Sequence, residues 1–258
     1  STGNLALGNG SNGGLAQNYT LSGGSHNLTI SQRPLDISGT KVYDGNTVGE
    51  VAELSLTNSS GGSTGLVDGD SDGNFETLTL GGSSVTIGNK DVANSPTTIT
   101  NASSRLTKSN GSNGGLANNY TFSGGTHAFT VTTKQINFSR VYNDLTTVVG
   151  SNLNSTLTTS DTVGSETLTM TGSGSVASQN FSGSAQSITL GTLSLGNGTN
   201  GGLASNYTLS GSSLTINKRP LDIDGSKIYD GNTNAADSIL TASNFATDST
   251  TGNTETLG

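Results

Sequence analysis

Short runs in which aliphatic residues alternate with Thr recur along the chain. In residues 76–80 (Glu-Thr-Leu-Thr-Leu) and 166–170 (Glu-Thr-Leu-Thr-Met), every second position from the leucine onward is apolar. A period of two places the apolar side chains on one face of a β-strand and the Thr side chains on the other. Gly-Gly, Asn-Gly and Ser-Gly steps separate these runs and mark turns. The pattern therefore predicts an all-β, or mainly β, fold made of many short strands.

Other apolar runs mark places where one unit of sequence ends and the next begins. Strands are predicted at 28–30, 128–131 and 214–216, and each leads directly into the first strand of the next unit, predicted at 35–37, 136–138 and 221–223 respectively. Their aliphatic and aromatic residues suit a half-buried pleated surface. A short helix is predicted only for residues 235–246.

The chain repeats itself with a period of about 90 residues. Three markers recur in register: a Gly-Leu-Ala-x-Asn-Tyr-Thr motif, a later tyrosine that usually opens Tyr-Asp-Gly, and a Glu-Thr-Leu motif. The marker residues are Tyr19, Tyr120 and Tyr207 for the first, Tyr43, Tyr142 and Tyr229 for the second, and Glu76, Glu166 and Glu255 for the third. This period suits one small domain per repeat and is too long for one rung of a β-helix.

The repeat predicts four stretches with very short connections between them. These stretches are the C-terminal part of a repeat (1–32), two complete repeats (33–133 and 134–217), and the N-terminal part of a repeat (218–258). Pro34 and Pro220 restrict the backbone at two of the connections. Small domains of about 90 residues that are joined so tightly are expected to form an elongated, semi-rigid rod.

Composition narrows the class of protein. Only 29% of the 258 residues are hydrophobic, so each unit is expected to have a small core. The net charge of −8 and the scattered basic residues argue against nucleic acid as a partner, and no apolar run is long enough for membrane insertion. Cysteine is absent, which excludes disulfides and thiolate metal sites. Because Ser1 is not a natural start and no signal peptide is present, we expect the chain to be a fragment of a longer one.

Two heptapeptides resemble the signature of the bacterial YDG domain. They are residues 41–47 (Lys-Val-Tyr-Asp-Gly-Asn-Thr) and 227–233 (Lys-Ile-Tyr-Asp-Gly-Asn-Thr). The Asn-Tyr-Thr steps and the Arg-Pro-Leu starts at Arg33 and Arg219 also resemble this module and its mostly-β-grasp (MBG) relatives. The resemblance implies β-grasp-like or sandwich-like tandem domains of large secreted adhesins, many of them similar to filamentous haemagglutinin and exported by two-partner secretion. The central unit departs from the pattern at Tyr142, which Asn143 and Asp144 follow.

The Tyr-Asp-Gly step itself has two interpretations. In the structural one, Asp caps the turn, Gly takes a positive φ, and Tyr packs its ring with its hydroxyl near the surface. In the functional one, the step contacts a ligand. The repetition of the step in the small domains favours the structural role.

One acidic loop is a candidate calcium site. Asp68, Asp70, Asp72 and Asn74 alternate as oxygen ligands do in a calcium-binding loop, and Glu76 follows at its ninth position. The twelfth position lacks the usual bidentate glutamate, the flanking residues suggest strands, and the other repeats lack the acidic triplet. Two alternatives stay open, a Ca²⁺ site and a solvated acidic turn without a cofactor.

The sequence predicts a structural protein that is not an enzyme. The two histidines, His26 and His127, occupy equivalent repeat positions at turn–strand junctions, so no general base is placed beside a nucleophile. We expect a stalk or filament segment of an adhesin on the bacterial cell surface or in the secreted, extracellular matrix of a biofilm. Its partners would be the neighbouring repeats and other copies of itself in a fibre. The alternative is direct binding of carbohydrate or ice through Thr- and Asn-rich β faces.

Overall fold

A computed structural model describes residues 4–59, 61–68, 73–153, 161–247 and 252–255. The described residues form many short strands and few helical turns, which confirms the mainly β prediction. Their strand pairs fall into three groups, which we call the first block (residues 33–132), the second block (134–217) and the third block (218–255). In the described part of the chain, no strand pairs with a strand of another block. Residues 4–32 form the N-terminal segment.

The first block contains ten strands. They are β1 (Arg33–Pro34), β2 (Ile37–Val42), β3 (Val48–Gly49), β4 (Leu54–Leu56), β5 (Leu78–Gly82), β6 (Val85–Thr86), β7 (Thr97–Thr98), β8 (Leu106–Asn110), β9 (Tyr120–Thr121) and β10 (His127–Thr132). The second block contains β11 (Lys134–Gln135), β12 (Phe138–Val141), β13 (Thr147–Val149), β14 (Leu168–Thr171), β15 (Ser173–Ser175), β16 (Gln186–Ser187), β17 (Ser194–Asn197), β18 (Tyr207–Thr208) and β19 (Ser213–Asn217). The third block contains β20 (Asp222–Gly225) and β21 (Leu240–Ser243).

Among the residues that the structure describes, helical structure is limited to single turns. The α-helical turns are α1 (Ala102–Arg105) and α2 (Gly150–Leu153). The 3₁₀ turns are Ala16–Asn18, Val51–Glu53, Val92–Asn94, Ala117–Asn119, Ala204–Asn206 and Asp237–Ile239. Three of these 3₁₀ turns occupy the same place in the repeat, directly before the tyrosine of each Asn-Tyr-Thr motif.

In the first two blocks, the strand near the start of the block pairs with the strand at its end. The main sheet of the first block has the order β4-β2-β10-β7, in which β2 and β10 run parallel. In the second block β12 and β19 are also parallel, and Phe138 lies opposite Leu214. This closure brings together residues about 75 to 90 positions apart, so each of these blocks is completed only by its last strand.

The cores are small and depend on close contact between backbone and ring. Phe129 of β10 is fully buried, and its ring lies over Gly39 of β2. A Cβ atom at Gly39 would lie 2.5 Å from the ring carbon Cδ2, so a larger residue there requires the ring to move. Ile37 and Val131 are buried on the same two strands, and Leu214 and Ile216 fill the equivalent place in the second block.

Several predictions of local structure were wrong. Of the strands predicted at 35–37 and 136–138, only Ile37 and Phe138 lie in strands, where they begin β2 and β12. Residues 28–30 are not a strand, although their equivalents lie in β10 and β19. Those equivalents pair with β2 and β12, and no described strand pairs with residues 28–30. The helix predicted for residues 235–246 is a single 3₁₀ turn, Asp237–Ile239, followed by β21. Hydrogen bonding of β21 to β20 overrides the local preference there.

Candidate functional site: the joint between blocks

The connection between the first and second blocks is one residue long. Thr133 alone separates β10 from β11. β11 pairs in parallel with β18, and Lys134 lies opposite Tyr207. The chain therefore enters the second block directly beside the Asn-Tyr-Thr motif of that block. Because the connection is so short, direct contacts between the two blocks determine their relative position.

The Tyr-Asp-Gly turn of the first block is held by a buried lysine. Lys41 Nζ donates hydrogen bonds to Asn46 O at 3.0 Å and Val48 O at 2.6 Å, and it forms an ion pair with Asp44 at 2.8 Å. Asp44 Oδ1 also accepts a hydrogen bond from the Asn46 N–H at 3.2 Å. Gly45 has a φ of +78°, which favours glycine. The turn is thus fixed directly after Tyr43, and Asp and Gly have the roles expected for them.

The Tyr43 hydroxyl does not lie at the surface. It donates a 2.6 Å hydrogen bond to Glu166 Oε1 in the second block, while Tyr207 OH donates a 2.6 Å bond to Glu166 Oε2. The Tyr207 oxygen in turn accepts a bond from the Val163 N–H at 2.9 Å. One carboxylate therefore binds a tyrosine from each block, and both bonds are of the charge-assisted type.

Aromatic and cationic contacts surround this carboxylate. The rings of Tyr43 and Tyr207 meet edge to face with centroids 5.5 Å apart. Lys90 Nζ donates to Tyr43 OH at 2.9 Å, lies 5.1 Å from the centre of the Tyr43 ring, and is 3.8 Å from Glu166 Oε1. The positive charge of Lys90 thus faces the negative charge of Glu166 across the two blocks.

A second contact across the joint involves the Asn of the Asn-Tyr-Thr motif. Asn206 is fully buried, and its Nδ2 donates to Asp91 Oδ1 at 2.9 Å. Its Oδ1 accepts a 2.9 Å bond from the Val92 N–H. This side chain therefore binds the start of the 3₁₀ turn Val92–Asn94 of the first block. The equivalent Asn119 and Asn18 are exposed.

The same tyrosine–glutamate bond forms again at the next joint. Tyr142 OH donates to Glu255 Oε1 of the third block at 2.6 Å. Here the turn lacks its glycine, and Asp144 takes a positive φ of +56° in its place. The Leu145 N–H donates to Asn143 Oδ1 at 3.3 Å, as the Asn46 N–H does to Asp44. The changed sequence of the central unit therefore keeps the turn and the direction of its tyrosine.

The tyrosines of both joints are poor acids. Burial, and then the hydrogen bond to Glu166, raises the pKa of Tyr43 and of Tyr207. The hydrogen bond to Glu255 raises the pKa of Tyr142. The protonated hydroxyl is the form that donates to a carboxylate, so these joints hold their protons more tightly than free tyrosine does.

Glu76 occupies the corresponding position in the first block. Its Oε2 accepts a 2.6 Å bond from Tyr120 OH, as Glu166 Oε2 does from Tyr207 OH. Among the described residues, no donor reaches Glu76 Oε1, the oxygen that would receive a tyrosine from a preceding repeat. Glu76 thus lies at the position where a joint would form with a preceding block.

The predicted calcium loop lies only partly within the described residues. Asp70 and Asp72 are outside them, so the Ca²⁺ site stays a prediction. Asp68 Oδ2 accepts a hydrogen bond from the Gly73 N–H at 2.9 Å, and Glu76 binds Tyr120. Asn74 also has an interaction partner. Among the described residues, no three His, Asp or Glu side chains are placed to hold a metal ion together.

Sequence reasoning identified the joint tyrosines and glutamates as repeat markers but not as contacts of one another. It did not identify Lys90 or Asp91, and it predicted no contact for Asn206. The Asn of each Asn-Tyr-Thr step was a visible signal, because a recurring amide beside a recurring tyrosine often has a fixed partner. Lys90 carries no such signal, because the corresponding position of the second unit is not basic.

Comparison with protein-family models, curated proteins and solved structures gives no match for this chain. In the part of the chain that the structure describes, no helix has the length and apolar character needed to cross a membrane.

Proposed function

We propose that this chain is a stalk or filament segment of an adhesin on the bacterial cell surface or in the secreted matrix. It would hold a distal binding region away from the cell or form part of an extracellular fibre. The blocks would be tandem domains of about 90 residues arranged as an elongated rod. The resemblance to YDG and MBG modules is consistent with this role.

The repeated joint carries the proposal. Tyr43 with Glu166 and Tyr142 with Glu255 make the same 2.6 Å bond at two successive places in the chain. A contact that recurs with the repeat is what a stalk or fibre built from successive similar units would need, and this recurrence supports the proposal. The one-residue connection at Thr133 adds to this, since it leaves little freedom between blocks.

Small-angle scattering of the purified chain tests the proposal. A rod of successive blocks should give the scattering profile of an elongated particle whose cross-section is that of one block. Glu166→Ala should give the profile of a more flexible particle. A compact globular profile for the unmodified chain would refute the stalk role. A binding assay against polysaccharide tests the alternative of direct carbohydrate recognition on the same sample.

A further inference from the structure

In each of the first two blocks, a strand near the start of the block lies directly beside the strand that ends it. β2 pairs with β10 at six register positions, and β12 pairs with β19 at four. We call each of these two pairs a closing pair, because most of the block lies between its two strands along the chain.

The direction of the strands decides how a closing pair responds to tension. Both pairs are parallel. The chain enters β2 at Ile37 and leaves β10 at Thr132, and these two residues lie at opposite ends of the pair. Tension along the chain therefore pulls β2 and β10 in opposite directions along their common axis, and all hydrogen bonds between them are loaded together, in shear. In an antiparallel pair the two residues would lie at the same end, and the bonds would be loaded one after another.

Hydrogen bonds continue the closing pair of the first block at both of its ends. The Ile37 N–H donates to Thr126 O at 2.8 Å, and the Tyr43 N–H donates to Thr132 O at 2.8 Å. Asp36 Oδ1 also accepts a hydrogen bond from the Thr126 N–H at 2.7 Å. Because the bonds of a parallel pair are evenly spaced, the load is divided along the whole pair.

The second block repeats these end contacts. The Tyr142 N–H donates to Asn217 O at 2.9 Å. Asn137 Oδ1 accepts a hydrogen bond from the Ser213 N–H at 3.1 Å, in the place that Asp36 has in the first block. The closing pair is therefore built in the same way in both blocks, although Asp36 and Asn137 differ in charge.

Buried side chains cover both closing pairs. Ile37, Phe129 and Val131 are buried over the first pair, and Leu214 and Ile216 are buried over the second. Water therefore has little access to the hydrogen bonds of the pairs and does not readily replace them as they are stretched. In the first block, β2 and β10 are also the two central strands of the sheet, with β4 and β7 outside them.

The start of each block adds a second, shorter contact of the same kind. β1 pairs with β9, and β11 pairs with β18, and both pairs are parallel. The Leu35 N–H donates to Thr121 O at 2.8 Å, and the Ile136 N–H donates to Thr208 O at 3.2 Å. Because these contacts have the same direction as the closing pairs, tension loads them in shear as well.

We propose that each of these two blocks is a load-bearing unit, in which the closing pair resists tension along the chain. While the pair of the first block holds, tension passes directly from β2 to β10 and bypasses residues 43–126. In the second block it passes from β12 to β19 and bypasses residues 142–212. The inference goes beyond the proposed stalk function and does not depend on it, because it concerns tension within one block, whatever the chain is attached to.

Single-molecule force spectroscopy of the whole chain tests the proposal. The chain has no cysteine, so cysteines added before Ser1 and after Gly258 provide unique attachment points at its two ends. Each of the two blocks should hold until one abrupt rupture. At about 3.5 Å per residue, release of residues 37–132 should lengthen the chain by about 32 nm, and release of residues 138–217 should lengthen it by about 27 nm.

A change of attachment point provides the matched control. With Val42→Cys and the C-terminal cysteine as attachment points, tension enters β2 beside Thr132, at the same end of the pair. The hydrogen bonds are then loaded one after another. The rupture force of the first block should fall by a factor of about two or more, since one end position takes the load that six positions shared. The second block is still pulled across its closing pair, so its rupture force in the same molecule should not change.

Two further variants separate the attachment point from the substitution. Val42 is exposed, and a Val42→Ser chain held at its two ends should keep the rupture force of the unmodified chain. Val141→Cys with the C-terminal cysteine repeats the comparison in the second block, where Val141 lies opposite Asn217. The rupture force of the second block should fall there in the same way.

Two results would overturn the proposal. The first is a rupture force that does not depend on the attachment point in either block. The second is a chain that lengthens gradually when it is held at its two ends, without abrupt events of about 32 nm and 27 nm. A compact particle in solution scattering would refute the stalk role and leave these forces unchanged, so the failure of one proposal is distinguishable from the failure of the other.

Discussion

Removal of the Glu166 carboxylate should weaken the joint between the first and second blocks more than any other single change there. Glu166→Ala deletes the acceptor of two 2.6 Å hydrogen bonds, one from Tyr43 and one from Tyr207. The side chain of Glu166 is only 9% exposed, so water replaces it poorly. Hydrogen bonds to charged groups contribute about 1.5–3 kcal/mol each, and we expect the free energy of unfolding to fall by about 3 kcal/mol.

The share of this lost stability that comes from the contact between the two blocks can be measured separately from the share that comes from contacts within the second block. Tyr43→Phe keeps the ring and removes the hydroxyl, and it should cost about 1–2 kcal/mol. A double-mutant cycle of Tyr43→Phe with Glu166→Ala should give a coupling energy of about 1–2 kcal/mol, measured by urea unfolding. The matched control is Glu76→Ala, which removes the same tyrosine bond inside the first block but no contact with another block among the described residues.

The geometry of the joint provides a second measurement. The chain has no cysteine, so spin labels can be attached at Ser55→Cys in the first block and Thr169→Cys in the second, both exposed. The distance distribution between the labels should broaden in Glu166→Ala and stay narrow in Glu76→Ala. An unchanged distance distribution in both variants, or a coupling energy of zero, would refute the role of Glu166 in joining the two blocks.

Three further predictions follow from the joints and the acidic loop. Burial raises the pKa values of Tyr43 and Tyr207 above the ordinary 10.0. The stability that these tyrosines contribute should therefore be complete below pH 10.0 and be lost as the pH rises through the raised pKa values. Over this pH range, the midpoint of unfolding should fall less in Tyr43→Phe than in the unmodified chain. Gly45→Ala should lower the free energy of unfolding by about 1–2 kcal/mol because of the positive φ, and by more because the new Cβ would lie 2.5 Å from Val163 Cγ1. Gly231→Ala has open space around it and should lose only the part that comes from the positive φ. Thermal unfolding of both variants measures the difference. If the acidic loop binds Ca²⁺, the melting temperature should be higher with Ca²⁺ than with chelator and Asp70→Ala should abolish the difference; an equal melting temperature would favour the solvated acidic turn.

Much of the fold is readable from the sequence because its signals are local. Alternation in residues 76–80 and 166–170 predicted strands that the structure places at β5 and β14, each of which begins two residues later than predicted. The tyrosine before Asp-Gly was expected to pack its ring, and Tyr43 does so. The failures concern partners: residues 28–30 have the composition of a strand, but a strand forms only where another can hydrogen-bond to it.

The joint was beyond sequence reasoning for a related physical reason. A repeat shows which residues are equivalent but not which of them touch. Tyr43 and Glu166 are separated by 123 positions, and their contact depends on how β10 leads into β11. The tyrosine hydroxyl was expected near the surface because a single block, considered alone, leaves it there. Only the adjoining block buries this hydroxyl, and nothing in the sequence of a single repeat indicates that burial.

The arrangement at Glu166 also implies that successive blocks stabilise one another. Tyr207, from the same block, fixes one carboxylate oxygen, which directs the other oxygen toward the tyrosine of the preceding block. Glu255 binds Tyr142 at the same 2.6 Å distance without a second tyrosine donor among the described residues, so the bond from Tyr207 supports the joint but is not required for it. Each added block contributes one joint, so stability should increase with the number of adjoining blocks, as nearest-neighbour terms do in repeat proteins. Asn206 adds to the same joint, because its buried side chain binds Asp91 and Val92 of the first block.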